Sequence, residues 1–140
     1  MVGVYKVLAH LNEHFPHCRI ETCSGGGGRF DPGMLFFSPQ IWTSDNTDVF
    51  SRMEIQYGTS LVYPLSSMGS HITSVPNHQT QRLSTLKTRF LVALFGTFGL
   101  ELDIRRISAA EYKELSEYIA KFKELAPTGE CPRVQGISSP

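Results

Sequence analysis

Neither sign of charge is in excess: lysine and arginine number 13, aspartate and glutamate number 13, and the net charge is zero. A basic field that would draw in nucleic acid or an anionic membrane surface is therefore not expected. No apolar run is long enough to span a bilayer; the longest, FLVALFGTFGL (90–100), is short and is broken by Gly96 and Gly99. Residues 1–20 lack the layout of a signal peptide, because His10, His14 and His17 interrupt any apolar core. There is no Asn-x-Ser/Thr acceptor site. The three cysteines, Cys18, Cys23 and Cys131, cannot form a complete disulfide set, which leans toward a reducing compartment but assigns no localisation. With 41% hydrophobic and 19% charged residues among 140, the composition is that of a globular chain and not of a disordered one.

What is present is an alternation of helical and strand patterns. Val4, Val7, Leu8, Leu11 and Phe15 recur at helical spacing and predict an amphipathic helix over 2–15, stopped by Pro16. CRIETC (18–23) reads as a short strand, the glycine run Gly25–Gly28 as a loop, and PQIWTS (39–44) as a second strand. From Thr47 as N-cap, Val49, Phe50, Met53 and Tyr57 mark a second helix that Gly58 ends. SLVYP (60–64) reads as a third strand, followed by a polar loop over 65–83 that carries His71 and His78. Residues 84–95 look helical behind Ser84, TFGLELDI (97–104) reads as a fourth strand, and Ser108 with Glu111 forms a capping box for a last helix with Tyr112, Leu115, Ile119 and Phe122 on one face. After Pro127 the chain is rich in Gly, Pro and Ser, and 127–140 is expected to be a disordered tail.

Strands alternating with helices imply an α/β fold with a parallel sheet and helices packed outside. Polar groups fall at or just past the predicted strand ends: Asp45, Ser66–Ser70 and Asp103. A (β/α) barrel places its chemistry there, but a whole barrel needs eight strands and about 250 residues. Residues 1–126 therefore read as a partial (β/α)8 TIM-type barrel, incomplete as it stands. Alone it is expected to expose strand edges and aggregate, and a sharp cooperative melt from a soluble monomer would count against this reading.

The glycine run admits three readings. A phosphate cradle needs a helix opening directly after the turn, with a Lys-Ser/Thr or a G-x-G-x-x-G pattern, and Arg29-Phe30-Asp31-Pro32 follows instead. A flexible linker needs polar flanks, whereas Ile20, Cys23, Phe30, Met34, Leu35 and Phe36 flank this one. The third reading is a neutral polar ligand lying against bare backbone, with aromatic rings beside it, which suits a sugar. Plainer roles compete throughout. Asp45 and Asp48 flank a helix start where carboxylates cap free N–H groups. Asp31 precedes Pro32 and suits a turn. Cys23 suits a small buried site, and Trp42 suits either a barrel interior or a sugar face. His14, His17, Cys18 and Cys23 crowd together, but their spacing fits no standard zinc pattern.

The strings CSGGGGRFDPGMLFFSPQIWTSDNTD (23–48), IQYGTSLVYPLSSMGSHITSVPNHQT (55–80) and FGTFGLELD (95–103) closely resemble the α-galactosidases of glycoside hydrolase family 36, over most of residues 1–126. The resemblance implies the second half of a (β/α)8 catalytic barrel that removes terminal α-linked galactose from melibiose- and raffinose-type oligosaccharides. It implies no metal and no organic cofactor, and leaves homo-oligomerisation of the full-length enzyme open. It makes Asp45 the general acid/base and Cys23, Gly25 and Gly26 the substrate-binding contacts to galactose. The family's nucleophile is an aspartate in a Lys-Trp-Asp string on an earlier strand, and no such string occurs here; Trp42 is the one tryptophan.

Retaining hydrolysis needs two carboxyl groups about 5–5.5 Å apart, one to attack the anomeric carbon and one to protonate the leaving oxygen and then activate water. Burial or a neighbouring carboxylate is what suits a carboxyl group to the second role. The 140 residues supply only that second role, so the isolated chain is expected to be inactive. The alternative is a non-catalytic truncated remnant that at most binds sugar. A galactosyl transferase of the same family is a third option.

Overall fold

The computed structural model describes residues 2–125, and the expected disordered tail lies outside the described residues. The elements are α1 (Val2–His14), β1 (Glu21–Thr22), α2 (Ser24–Gly27, a single turn), α3 (Pro32–Phe37), β2 (Gln40–Trp42), α4 (Val49–Ser60), a 3-10 turn (Leu65–Ser67), β3 (Met68–Thr73), α5 (Leu86–Ala93), β4 (Thr97–Glu101) and α6 (Ala109–Leu125). The four strands form one sheet in the order β1-β2-β3-β4, with every neighbouring pair parallel. Parallel neighbours require crossover connections, and the helices supply them. Among the described residues no helix is long and apolar enough to cross a membrane.

Side chains alternate across this sheet. On the helix side, Ile41, Met68 and Ile72 are completely buried. Ile41 packs with Leu8 of α1 and Met34 of α3, while Ile72 joins Leu86, Phe90 and Ala93 of α5 and Leu115 and Phe122 of α6. The opposite face carries Glu21, Gln40, Trp42, His71 and Glu101. Two glycines make this face possible. A Cβ at Gly69 would sit 2.9 Å from the Trp42 ring, and one at Gly99 would sit 2.5 Å from the His71 ring. Each ring therefore takes up the space that a side chain on the glycine of the next strand would need.

Several expectations are corrected. SLVYP is not a strand: its Ser60 closes α4, and Leu61 and Val62 are 70% and 75% exposed in the turn beyond. The third strand is β3, inside the stretch expected to be a polar loop, so His71 is a strand residue; Ser66 and Ser67 lie in the 3-10 turn that leads into that strand and Ser70 lies within it, none of them past its end. A run of Met-Gly-Ser-His does not look like a strand because its open side must accommodate rings and its helix side meets polar groups: Ser70 donates to Gln56 Oε1 at 3.0 Å. Asp48, not Thr47, caps α4, and the helix runs through Gly58 to Ser60. Thr85, not Ser84, caps α5. Asp31 is the N-cap of the unanticipated α3, accepting from the Met34 N–H at 2.9 Å. The capping box of α6 forms as expected: Ser108 N–H donates to Glu111 at 3.0 Å and Glu111 N–H to Ser108 Oγ at 3.2 Å.

Candidate active site

The C-terminal ends of β1 and β2 lie side by side, and the residues that follow each strand meet. After Thr22 the chain winds one left-handed turn, with φ of 57° at Ser24, 67° at Gly25, 76° at Gly26 and 89° at Gly27. Left-handed backbone costs a residue with a Cβ about 1–2 kcal/mol, so a glycine run is what makes such a turn affordable. Cys23 opens the turn, its Sγ accepting from the Gly26 N–H at 3.4 Å, and the Gly27 N–H closes it onto the Cys23 carbonyl at 3.0 Å.

Close approach is the second reason for glycine. A Cβ on Gly26 would stand 2.7 Å from the Asp45 backbone nitrogen and 3.3 Å from its carboxyl carbon, and one on Gly27 would stand 2.5 Å from the Thr43 carbonyl oxygen. The turn thus rests its bare backbone on the 43–45 segment. Gly25 faces the other way, with nothing within 4 Å. The Cys23 thiol donates to Asp45 Oδ1 at 3.6 Å. The structure therefore brings Cys23, Gly26 and Asp45 into contact, with exposed Gly25 at the rim. The Asp45 side chain is exposed.

The residues after Asp45 hold the loop in place. Ser44 Oγ accepts from the Asn46 N–H at 3.1 Å, and Asn46 Oδ1 from the Asp48 N–H at 3.1 Å. Thr47 is held by Gln79, Thr73 and Asn77. Asp48 is 1% exposed and accepts from the Ser51 N–H, the Thr80 hydroxyl and Arg82. Burial pushes the Asp48 carboxyl up, but the Ser51 and Thr80 hydrogen bonds and the Arg82 charge together hold it below the usual carboxylate range.

Beneath the loop, the Trp42 ring lies 4.6 Å from that of His71, and the Arg52 guanidinium sits 4.5 Å from the Trp42 ring centre. Trp42 therefore stacks on protein groups on the open sheet face. His71 Nδ1 is 3.6 Å from Glu101 Oε2; burial lowers the imidazole below its usual pKa, against the opposing pull of Glu101 and Glu21. His78 is exposed on its loop. Asp103, just past β4, is tied to Arg105 at 2.9 and 3.0 Å and stands apart from the Cys23–Asp45 contact. Among the described residues no three His, Cys, Asp or Glu side chains converge as a metal site. Arg52 and Gln56 escaped notice in the sequence. A charged and an amide residue one helical turn apart look like a solvated face, and nothing in the local pattern marks them as buried.

The family model described as Melibiase matches residues 1–128. The chain belongs to the melibiase family. It is 54% identical over 125 residues to the alpha-galactosidase AgaA of Geobacillus stearothermophilus, a match spanning 89% of this chain and 17% of AgaA. It is 50% identical to the bifunctional alpha-galactosidase/sucrose kinase AgaSK of Mediterraneibacter gnavus, over 89% of this chain and 13% of that protein. The crystal structure of an AgaA variant in complex with raffinose superposes with a TM-score of 0.87, covering 89% of this chain and 17% of that one. The alpha-galactosidase structure from Lactobacillus brevis superposes at 0.84 with 46% identity, covering 86% and 16%. The α/β fold and parallel sheet of this melibiase chain match the glycoside hydrolase family 36 structures, of whose length it spans about a sixth.

Proposed function

We propose that the chain is the second half of the catalytic barrel of a retaining α-galactosidase, with Asp45 as general acid/base and Cys23, Gly25 and Gly26 lining the galactose pocket. The observation that carries this reading is the meeting of the left-handed glycine turn with Asp45 at the C-terminal ends of adjacent parallel strands. Four parallel strands in sequential order suit a segment of a barrel, and β1 and β4 each keep an unpaired edge among the described residues. By this reading residues 1–126 are barrel and 127–140 lie beyond it.

In the reaction, a carboxylate from outside this chain attacks the anomeric carbon while Asp45 gives its proton to the departing glycosidic oxygen. Asp45, now ionised, takes a proton from water as that water's oxygen attacks the same carbon. Galactose is released, and the nucleophile and Asp45 return to their starting states. Asp45 is exposed here, so the enclosure that a general acid needs comes from the upstream strands. The substrates would be raffinose- and stachyose-type galactosides, since structures of related enzymes hold those sugars.

The purified chain should not turn over an aryl α-galactoside; turnover by the chain alone would refute the missing-nucleophile reading. Joined to the upstream strands of the Geobacillus relative, it should hydrolyse raffinose. Asp45→Ala should then lower kcat/KM for raffinose by about 10²–10⁴-fold. It should spare galactosyl fluoride, whose leaving group needs no proton. Equal losses on both substrates would overturn the role of Asp45.

A further inference from the structure

Arg52 lies on α4, away from the contact between Cys23 and Asp45, and is 4% exposed. Its three nitrogens reach three separate parts of the fold. Nη1 donates to the Ser44 carbonyl at 3.2 Å, Nη2 donates to the Gly69 carbonyl of β3, and Nε donates to Gln56 Oε1 at 3.2 Å. The guanidinium plane also lies against Trp42 at the end of β2. Gln56 extends the network, donating to the carbonyls of Val92 at 3.0 Å and Phe95 at 2.8 Å. Among the described residues no carboxylate pairs directly with Arg52; its partners there are two carbonyls, an amide oxygen and a ring. Burial lowers its pKa to about 10, with Glu101 opposing, so the group still carries its charge at neutral pH.

The Ser44 carbonyl belongs to the peptide unit that begins Asp45. Fixing it fixes the peptide plane from which the Asp45 side chain departs. The nitrogen of the same peptide is confined as well, because a Cβ on Gly26 would stand 2.7 Å from it. We infer that Arg52 is a positioning residue for the general acid: it clamps the peptide before Asp45 to β3 and Trp42, and so sets where the carboxyl meets the leaving oxygen. This inference rests on Asp45 being the acid/base. It does not require Arg52 to touch the sugar.

The guanidinium is suited to the task and an ammonium is not. A planar fork serves acceptors in three fixed directions and stacks on an indole, whereas lysine offers a compact, strongly hydrated charge. Arg52→Lys keeps the charge and much of the volume while giving up at least one of the three bonds. Displacing a reacting group by about 1 Å can cost about 10²-fold in rate.

The test uses the complete enzyme, with this chain joined to the upstream strands of its Geobacillus relative, and compares raffinose with galactosyl fluoride. Arg52→Lys is expected to lower kcat/KM on raffinose by about 10–10²-fold, and to leave kcat/KM on galactosyl fluoride, whose first step needs no proton, within a few-fold of the parent. Arg52→Gln, which can serve one carbonyl at a time, should show the same split and a larger loss, and it stands in if the lysine variant does not fold. If Asp45→Ala discriminates between the two substrates but neither folded Arg52 variant does, Arg52 is structural only and the inference is wrong. If Asp45→Ala itself fails to discriminate, the acid/base reading has failed and takes this one with it.

Discussion

The two halves of the sheet are built differently. β3 and β4 pair over five register positions, from Gly69↔Thr97 to Thr73↔Glu101, and rest on the larger apolar cluster, where Phe122 stacks on Phe98 at 4.4 Å and Phe90 on Tyr118 at 4.4 Å. β1 and β2 pair over only two positions, and their buried cluster is Leu8, Met34 and Ile41. Yet Cys23, the glycine turn and Asp45 all sit on this thinner half. What it lacks in ladder it recovers in side-chain hydrogen bonds, with Ser44, Asn46, Thr47 and Asp48 each held individually. Apolar packing supplies bulk stability without direction. Hydrogen bonds contribute less, about 0.5–1.5 kcal/mol each, but they fix orientation. Placing a carboxyl group is a question of orientation.

The sharpest way to break this contrast is to truncate both cores. Phe122→Ala should cost about 3–5 kcal/mol, because the ring is 1% exposed and stacked. Leu8→Ala, at 9% exposure on the thinner cluster, should cost about 2 kcal/mol. Amide exchange of β3 and β4 in the completed enzyme reads the first, and of β1 and β2 the second. Equal costs would mean that the halves do not differ in packing.

Gly26→Ala tests the other half on its own terms. The new methyl meets a left-handed φ of 76° and the Asp45 backbone at 2.7 Å, so strain and displacement act together. Expected is a loss of about 1–2 kcal/mol locally and about 10²-fold in raffinose hydrolysis. Activity within a few-fold of the parent would show that the turn does not set the position of Asp45.

The smallest effect is expected from Asp48→Asn, about 1 kcal/mol, because asparagine still caps the helix and the Arg82 end of the ion pair is 56% exposed. Its diagnostic value is in pH. The folded carboxyl lies below its unfolded value. Its stabilisation is therefore complete above the ordinary carboxylate range and is lost as pH falls through the folded value. The protection factor of the Ser51 amide should drop on acidification in the parent and stay flatter in Asp48→Asn. Parallel curves would assign the acid sensitivity to another group.

How much of this was legible in the sequence follows the same division. Helices α1, α5 and α6 announce themselves by period, and the Ser108–Glu111 box by spacing, because local rules govern exposed helices. The parallel α/β organisation and three of the four strands, β1, β2 and β4, were also readable. β3 was not, since its residues answer to Trp42 across the sheet and to Gln56 behind it, and neither relation is local. SLVYP misled for the converse reason: a branched apolar run followed by a proline has the local signature of a buried strand, yet Leu61 and Val62 face outward. At the site, the motif strings pointed to Cys23, Gly25, Gly26 and Asp45, and the structure brings Cys23, Gly26 and Asp45 into contact. Arg52 was hidden because its meaning lies entirely in tertiary partners.

The rings laid over glycines have a consequence for how this sheet can change. Gly99 gives up its side chain to the His71 ring, Gly69 gives up its own to Trp42, and Trp42 carries Arg52 against its face. Widths are thus shared between neighbouring strands. A side chain gained at 99 demands one lost at 71, and a ring displaced at 71 leans on the indole whose other contact steadies the Ser44 peptide. The far strand lies away from the contact between Cys23 and Asp45, yet its freedom to vary is tied through His71 and Trp42 to the strand that leads into Asp45.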